Sequence, residues 1–482
     1  MQYLQPADRH QYQMMSSMDD SISQNHPVRI IDMIIDSVIS DNKERFEKER
    51  ETEAGRPRYH ASTLLKLYLY GYFNGICSSR KLETETHRNK EVIWLLGGLA
   101  PDHWTIANYR KENGEDIKYI TKKFREFLRH NEYIKLKTVA IDGTKIKANT
   151  NREILTMAII EKKLERIDIE VKEYVDKIAE NDNKDDIRDE LGTEDQIKYL
   201  NKIVELKKQI EELENQKEVL QKEGVRYSGS TDMDARLMLS RDGFIPAYNV
   251  QIAVDKENKM IVDSEVVQEV NDLSMLPKMI ESIKEELGVV PEEIITDKGY
   301  SNPELIEEAE KTEQGIDIYI PVPDNTKTEI KFTYNEEKDE YECSAGKVLV
   351  LISKNKKKNK SRANVYRGIE CAECPLRDQC TKSKQGRTVY RYHNQQWRDA
   401  YKAKMSTKES KEKLSLRRTL VEHPFGILKY LMGKIPLLLR GLKKVRIEID
   451  LHTTAFNLKR LMNIEAFENI TTKIARFSWK MA

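Results

Sequence analysis

The chain has 482 residues, of which 34% are charged, yet its formal net charge is only +1. Overall charge therefore does not indicate nucleic-acid binding, which local basic patches would have to supply. No apolar run approaches the ~20 residues of a membrane span, and the polar N-terminus lacks a signal-peptide core. Five cysteines do not make a disulfide scaffold at this length, so we expect a reduced, intracellular protein of about three domains.

Residues 1–130 have the pattern of a small helical bundle. The segment Leu64–Tyr72 is apolar on nearly all sides, which predicts a central helix. Short helices follow, separated by a tight turn at Gly97–Asp102, and Arg80 and Arg110 lie on two of them. This arrangement favours a helix-turn-helix-like DNA-binding domain with both arginines as candidate DNA contacts. An ordinary helical bundle is the alternative.

A short branched apolar run, Val139–Ile141, leads directly into Asp142 and Gly143. The run is too short for a helix, and it predicts a buried strand that ends in a turn. A carboxylate where a strand leaves the core is often a metal ligand, because the strand fixes its position while the opening admits substrate. Alternatively, Asp142 only makes the local hydrogen bonds of an Asp-Gly turn.

Residues 153–224 predict an inserted helical hairpin. Apolar residues at alternating three- and four-residue spacing form a narrow seam on each helix, and the charged residues between them are expected to be solvated. The seam residues are Leu164, Ile167, Val171, Tyr174 and Ile178 on the first helix, and Tyr199, Ile203, Leu206, Ile210 and Leu213 on the second. A polar break at 181–189 separates the helices.

Strand signals return after this hairpin. Residues 247–267 predict a β-hairpin, 273–287 a helix, and 293–295 a further strand that leads to Asp297. The order strand, two strands, helix, strand is that of a ribonuclease H-like sheet, in which the first and fourth strands are neighbours. Asp142 and Asp297 are therefore expected at adjacent strand ends, where they could share a pair of divalent ions.

Four of the five cysteines lie between residues 340 and 390. Cys371 and Cys374 have the C-x2-C spacing that lets two thiolates bind one tetrahedral zinc ion. Cys343 and Cys380 could complete a four-thiolate site. The alternative is a set of small buried apolar side chains.

Near the end of the chain, Arg418, Glu422 and Lys429 follow the spacing R-x3-E-x6-K. Residues four apart share a helix face, and the residue seven further on from Glu422 comes nearly onto that face. Pro424 is expected to kink or end this helix just after Glu422. An ordinary surface ion pair is the alternative interpretation.

In this order the motifs resemble the DDE-type transposases of bacterial insertion sequences, over nearly the whole chain. The matching motifs are Gly75–Arg80, Ile141–Lys145, Asp232–Arg236, Tyr248–Gln251, Asn271–Asp272, Asp297–Tyr300, the four cysteines and Val421–Gly426. The resemblance implies a catalytic triad of Asp142, Asp297 and Glu422. The family signature around the glutamate is Y-x2-R-x3-E-x6-K, and this chain departs from it at Ser415.

The resemblance further implies a transposase that binds transposon ends and catalyses metal-dependent DNA cleavage and strand transfer. Mg2+, or Mn2+, is the expected cofactor because hard cations prefer carboxylate oxygens, and Zn2+ is the candidate structural ion at the cysteines. Lys145, Arg418 and Lys429 are expected to neutralise DNA phosphates. The implied partners are double-stranded DNA, at terminal inverted repeats and at target sites, and a second copy of the chain. No membrane is implied, and the expected location is the cytoplasm, at the nucleoid.

The expected fold class is α/β, a ribonuclease H-like mixed sheet with a helical insertion, an all-α N-terminal domain and a small cysteine-containing insertion. The expected boundaries are 1–130 for the DNA-binding domain, 131–310 and 405–465 for the catalytic domain, 311–404 for the cysteine-containing insertion and 466–482 for a C-terminal tail. Two other functions remain open. One is a metal-dependent nuclease that cuts without joining, and the other is a non-catalytic, domesticated DNA-binding protein.

Overall fold

The computed structural model describes residues 17–47, 58–150, 154–182, 191–222, 224, 228–229, 231–240, 243–313, 315–323, 330–358, 361–432 and 437–480. Most of the polar break expected at 181–189 lies outside these residues. No helix within the described ranges combines the length and the apolar character needed to cross a membrane.

The N-terminal region is helical. After a 3-10 turn at Met18–Ser21, its helices are α1 (Pro27–Asp41), α2 (Lys43–Phe46), α3 (Ala61–Phe73), α4 (Ser79–Arg88), α5 (Lys90–Leu95), α6 (His103–Glu112) and α7 (Gly114–His130). Helix α3 is buried at every position from Thr63 to Tyr72, because its leucines and tyrosines cover all of its faces. This confirms the central helix predicted from the sequence.

A mixed sheet follows. Its strands are β1 (Thr138–Lys147), β4 (Arg236–Ser240), β5 (Gly243–Asp255), β6 (Ile261–Val267), β7 (Glu293–Ile295) and β8 (Asp317–Tyr319), and α10 (Met275–Leu287) connects β6 to β7. The strand order is β6-β5-β1-β7-β8, and β4 pairs with the first part of β5. Strands β5 and β6 are antiparallel to their neighbours, whereas β7 and β8 run parallel to β1. This is the predicted ribonuclease H-like order, with β1 beside β7.

Strand β1 does not end at Asp142, as the Asp-Gly pair had suggested. Its antiparallel pairing with β5 continues as far as Lys147, opposite Ala247. Its parallel pairing with β7, in contrast, stops at Ala140, opposite Ile295. Because β5 still satisfies the backbone groups along one edge, β1 has no need to turn. Asp142 therefore lies where β7 separates from β1.

The predicted helical insertion is present. Its helices are α8 (Met157–Asp182) and α9 (Leu191–Lys222), and the short strands β2 (Ile154–Leu155) and β3 (Ser228–Gly229) pair at its base. Ile167, Leu206 and Leu213 of the predicted seam are buried in one apolar cluster. The narrow seam thus holds the two helices together, as the spacing had indicated.

The cysteine-containing region forms a second, antiparallel sheet. It follows α11 (Pro303–Thr312) and consists of β9 (Phe332–Asn335), β10 (Glu340–Cys343), β11 (Val348–Lys358), β12 (Ser361–Gly368) and β13 (Thr388–Tyr392), with α12 (Arg377–Cys380) before the last strand. The strands are ordered as in the chain. Three of the four cysteines follow β12. Two lie in the turn after this strand and one lies at the end of α12, and all three are near the end of β10.

The last part of the fold is helical. Its helices are α13 (Gln395–Ser406), α14 (Lys408–Met432), α15 (Leu442–Ile464) and α16 (Phe467–Arg476). Helix α14 continues through Pro424, so of the two predicted outcomes, a kink or an end, the helix does not end there. A proline inside a helix costs about 3 kcal/mol. Burial of Val421, Phe425 and Leu428 contributes about 1.5–3 kcal/mol for each side chain, and this offsets the cost.

The segment 466–482 is not a tail in its described part. Ile470 and Ile474 bury one face of α16, and Trp479 is fully buried. The Trp479 ring stacks on Phe127 of α7 with 5.2 Å between ring centroids, and its backbone N–H donates to Asp41 Oδ2 at 2.8 Å. The apolar partners of this segment come from distant helices, so its own sequence did not reveal the packing.

Replacement of Trp479 should therefore destabilise the helical region. We expect Trp479→Ala to lower the free energy of unfolding by about 3–5 kcal/mol, since it removes a large buried side chain and leaves a cavity. Urea denaturation followed by circular dichroism measures this change. Trp104, which is 69% exposed, provides the control, and Trp104→Ala should change stability by at most about 0.5 kcal/mol. Equal effects of the two substitutions would contradict the packing of the C-terminal segment.

Candidate active site

Asp142 and Asp297 follow the paired ends of two neighbouring strands. Ala140 of β1 pairs with Ile295 of β7, and each aspartate comes two residues after that pair. Asp142 Oδ1 accepts a hydrogen bond from the Gly143 N–H at 2.9 Å. Asp297 Oδ1 accepts one from the Gly299 N–H at 2.7 Å, which caps a 3-10 turn. Parallel pairing thus brings together two carboxylates that lie far apart in the sequence.

The two carboxylates interact electrostatically. Burial raises the pKa of Asp142 to about 6, Arg417 opposes this rise, and Asp297 and Asp272 add to it. A carboxylate that is partly buried near others of its kind is destabilised as an anion, and a nearby cation relieves that cost. The site therefore favours a positively charged ligand or side chain next to Asp142.

A third aspartate, Asp272, lies in the same place. Asp272 Oδ1 accepts hydrogen bonds from Asn249 Nδ2 at 2.7 Å, Gln251 Nε2 at 2.8 Å and Lys145 Nζ at 3.5 Å. Burial lowers the pKa of Lys145, and Asp272, Asp142 and Asp297 all oppose that effect. We call Asp142, Asp272 and Asp297 the aspartate cluster.

The sequence analysis noted Asp272 as part of a family motif but not as a site residue. A signal for it was present, however, in β5, whose residues are almost all buried. Asn249 and Gln251 stand two apart in this strand, so both point to the same face. Buried amides require hydrogen-bond partners, and Asp272 supplies one for each of them. Gln251 also accepts a hydrogen bond from the hydroxyl of Tyr300.

Arg417 of α14 completes this arrangement and was not predicted. One of its guanidinium nitrogens donates to Asp142 Oδ2 at 2.8 Å. Leu420, Val421 and Leu428, on the same side of the helix, are buried. This side of α14 therefore packs on the sheet, and Arg417 lies at its centre.

Glu422, the predicted third member of the triad, lies on the other side of α14. Its side chain is 62% exposed and accepts a hydrogen bond from Arg418 Nε at 2.8 Å. At 100° per residue, it stands about 140° around the helix from Arg417. No three His, Cys, Asp or Glu side chains of the described ranges are close enough to hold a metal ion. The structure thus brings Asp142 and Asp297 together but does not bring Glu422 to them.

The candidate DNA contacts fall into three groups. Arg80, Arg418 and Lys429 are exposed, whereas Lys145 faces the aspartate cluster. Arg110 is only 4% exposed, and its guanidinium donates to the Tyr72 hydroxyl at 2.9 Å and to the Cys77 carbonyl at 3.2 Å. In this arrangement Arg110 is too buried to contact DNA directly, so the prediction for this residue is wrong. The arginine is retained in the interior because its hydrogen bonds are made there.

The four cysteines come together in the second sheet. Cys343, Cys371, Cys374 and Cys380 all line one cavity of about 20 Å3, which is room for a single ion or water molecule. Burial raises the pKa of the Cys380 thiol, Arg387 opposes this rise, and the other three cysteines add to it. None of the four forms a disulfide. In the described residues, no three of these sulfurs are close enough together to bind one metal ion.

Comparison with protein families identifies two segments. Residues 16–112 match the model of a "Transposase domain (DUF772)", and residues 342–462 match that of a "Transposase DDE domain". Both models describe transposase domains, so these two segments are similar to transposases. Arg80 and Arg110 fall within the first match, and the four cysteines and Glu422 fall within the second. The aspartate cluster lies between the two matched segments of the chain.

Comparisons with individual proteins add little. A solved structure of a piggyBac transposase in a synaptic complex with hairpin DNA aligns with 93% of this chain and 79% of its own at 8% identity. The TM-score of 0.29 is too low to support an argument. A comparison with the curated proteins gave no significant match.

The aspartate cluster depends on the absence of a side chain at Gly143. A Cβ at this position would lie 2.2 Å from Gln251 Nε2 and 2.9 Å from Asp272 Oδ1. We expect Gly143→Ala to displace Gln251 and to lower the free energy of unfolding by about 1–3 kcal/mol, as overpacking usually does. Thermal unfolding measures the effect. A Cβ at Gly426 would meet no atom within 4 Å, so Gly426→Ala should leave stability unchanged or raise it by up to about 1 kcal/mol. If Gly143→Ala left the free energy of unfolding unchanged, the tight packing of the cluster would be contradicted.

Proposed function

We propose that this chain is a transposase that binds double-stranded DNA at transposon ends and catalyses DNA cleavage and strand transfer through Asp142, Asp297 and Glu422. The observation that carries the proposal is that Asp142 and Asp297 lie just beyond the point where the parallel pairing of β1 and β7 ends, in a sheet with ribonuclease H-like order. The family match over residues 342–462 supports a DNA-cutting and strand-transfer enzyme.

Two members of the aspartate cluster, Asp142 and Asp297, offer carboxylate oxygens, which are the donor atoms that Mg2+ and Mn2+ prefer. Gly299 leaves the space beside Asp297 Oδ1 free, since a Cβ at Gly299 would lie 2.8 Å from that oxygen. Asp142 and Asp297 would hold the metal, which would activate the attacking oxygen and stabilise the leaving one in an in-line displacement at phosphorus.

Glu422 joins these residues only if α14 turns or shifts. Two features of the helix support such a movement. Pro424 has no N–H to bond the carbonyl four residues earlier, and the surroundings of Gly426 are open. The turn of α14 that contains Glu422 therefore lacks one backbone hydrogen bond, to the Leu420 carbonyl. In the turned position, Glu422 would add a third hard ligand.

The cations near these residues would bind the DNA backbone. Arg418 and Lys429 are exposed on the same side of α14 as Glu422, and Arg80 is exposed at the start of α4. Lys145 would reach a phosphate at the aspartate cluster. Phosphate contacts of this kind position the duplex without specifying its sequence. Cutting two transposon ends in one complex requires two active sites, so we propose a homodimer that acts at the nucleoid.

Asp142→Asn provides the central test. The substitution removes the negative charge but keeps the shape, so we expect DNA binding to persist and metal-dependent cleavage of an end-bearing duplex to fall by roughly 10²–10³-fold or more. Asp168, exposed on α8, is the control, and Asp168→Asn should cleave normally. Incubation with a target plasmid and Mg2+ or Mn2+ reports cleavage and joining together. Cleavage by Asp142→Asn at the normal rate would refute the assignment of Asp142. Cleavage without joined products by the wild-type protein would instead identify a nuclease.

We also propose that Cys343, Cys371, Cys374 and Cys380 bind a structural zinc ion. The convergence of four thiols on one cavity of about 20 Å3 supports this, since four thiolates suit tetrahedral zinc at about 2.3 Å from each sulfur. The thiols would have to move towards one another on binding.

Zinc content tests this second proposal. We expect about one zinc ion per chain in protein purified from zinc-supplemented cells, and its loss together with a lower melting temperature in Cys374→Ser, because structural zinc contributes folding energy. Elemental analysis and thermal unfolding provide the two measurements. Cys77 lies in the N-terminal helical region, and Cys77→Ser should retain zinc. Wild-type protein without zinc would contradict the proposal.

A further inference from the structure

Both carboxylate oxygens of Asp142 already have partners within the chain. Oδ1 accepts from the Gly143 N–H at 2.9 Å, and Oδ2 accepts from the Arg417 guanidinium at 2.8 Å. The pair is half-buried on both sides, so solvent screens it less than an exposed pair. A divalent cation that binds Asp142 through Oδ2 must therefore compete with Arg417.

Charge strengthens this competition. The aspartate cluster carries three carboxylates, and Lys145 and Arg417 bring two positive charges to it. A divalent cation added to this set would be repelled by both side-chain cations, and the repulsion is largest from the one that shares its carboxylate. Lys145 bonds Asp272 rather than Asp142. Arg417 is thus the side-chain cation whose place the metal would take.

We propose that Arg417 is a displaceable counter-ion of the metal site, which holds Asp142 Oδ2 until a divalent cation binds and then gives it up. The inference rests on the proposed function, which supplies the metal at Asp142. It also explains the position of Glu422. Arg417 and Glu422 lie on one helix about 140° apart, so the turn of α14 that brings Glu422 inward carries Arg417 away.

Binding of Mn2+ to the full-length protein without DNA tests the inference. Electron paramagnetic resonance of free Mn2+ gives the dissociation constant without any activity measurement. Arg417→Gln removes the charge and retains a hydrogen-bonding side chain, and we expect it to bind Mn2+ about tenfold more tightly, since charge-assisted pairs are roughly twice as strong as neutral hydrogen bonds. Arg417→Lys restores a positive charge and should bind nearly as wild type does.

Lys411 provides a matched control on the same helix. It is exposed near the start of α14 and has no role in the proposed site, so Lys411→Gln should leave the Mn2+ affinity unchanged. Circular dichroism should show the same helix content in all variants. If Arg417→Gln fails to fold, Arg417→Met, which keeps the apolar stem, replaces it in the same titration.

Asp142→Asn separates the two proposals. If it leaves Mn2+ binding unchanged, the metal site of the proposed function is wrong. If it weakens Mn2+ binding while the uncharged Arg417 variants bind no more tightly than wild type, only the role of Arg417 is overturned. Tighter binding by Arg417→Gln and Lys411→Gln alike would also overturn it, because the effect would then reflect a general loss of positive charge.

Discussion

The buried charge cluster around Arg125 fixes the N-terminal helices against the mixed sheet. Arg125 of α7 is 3% exposed, and its guanidinium donates to Asp263 Oδ1 at 3.1 Å and to Ser264 Oγ at 2.9 Å on β6. Asp450 of α15 lies 3.9 Å away. Burial raises the pKa of Asp450 to about 7, and Arg125 limits that rise. Because a buried arginine is tolerated only with such partners, α7, β6 and α15 must meet at this point.

The same contacts determine the geometry of the candidate active site. Asn457 of α15 donates to the Ile261 carbonyl at 2.8 Å and accepts from the Ile261 N–H at 2.7 Å, which secures the start of β6. Strand β6 pairs with β5 along Asn249 and Gln251, the two residues that hold Asp272. The aspartate cluster therefore depends on helices that contribute no residue to it, and mutations in α15 should affect metal binding indirectly.

The sequence predicted the site residues whose positions depend on the strand that directly precedes them. Asp142 and Asp297 were found because each follows a branched apolar run that predicts a buried strand, although β1 continues beyond Asp142. The sequence did not predict which face of α14 packs against the sheet. The spacing of Arg418 and Glu422 places them on one helix face whichever way that face points, and only packing against the sheet turns it outward. Arg110 illustrates the same limit, since its buried partners Tyr72 and Cys77 come from another part of the chain.

The near balance of 82 cationic and 81 acidic residues has a counterpart in the site itself. Lys145 is paired with Asp272, and Arg417 with Asp142, so these cations are engaged before any phosphate approaches. Under the proposed function, DNA phosphates and aspartates would therefore compete for the same side chains. A divalent cation at the aspartates would release them, and binding of metal and of DNA would then strengthen each other by the same factor, as linkage requires. Under the proposed function, the metal would in this way strengthen the binding of a polyanion to a chain of almost zero net charge.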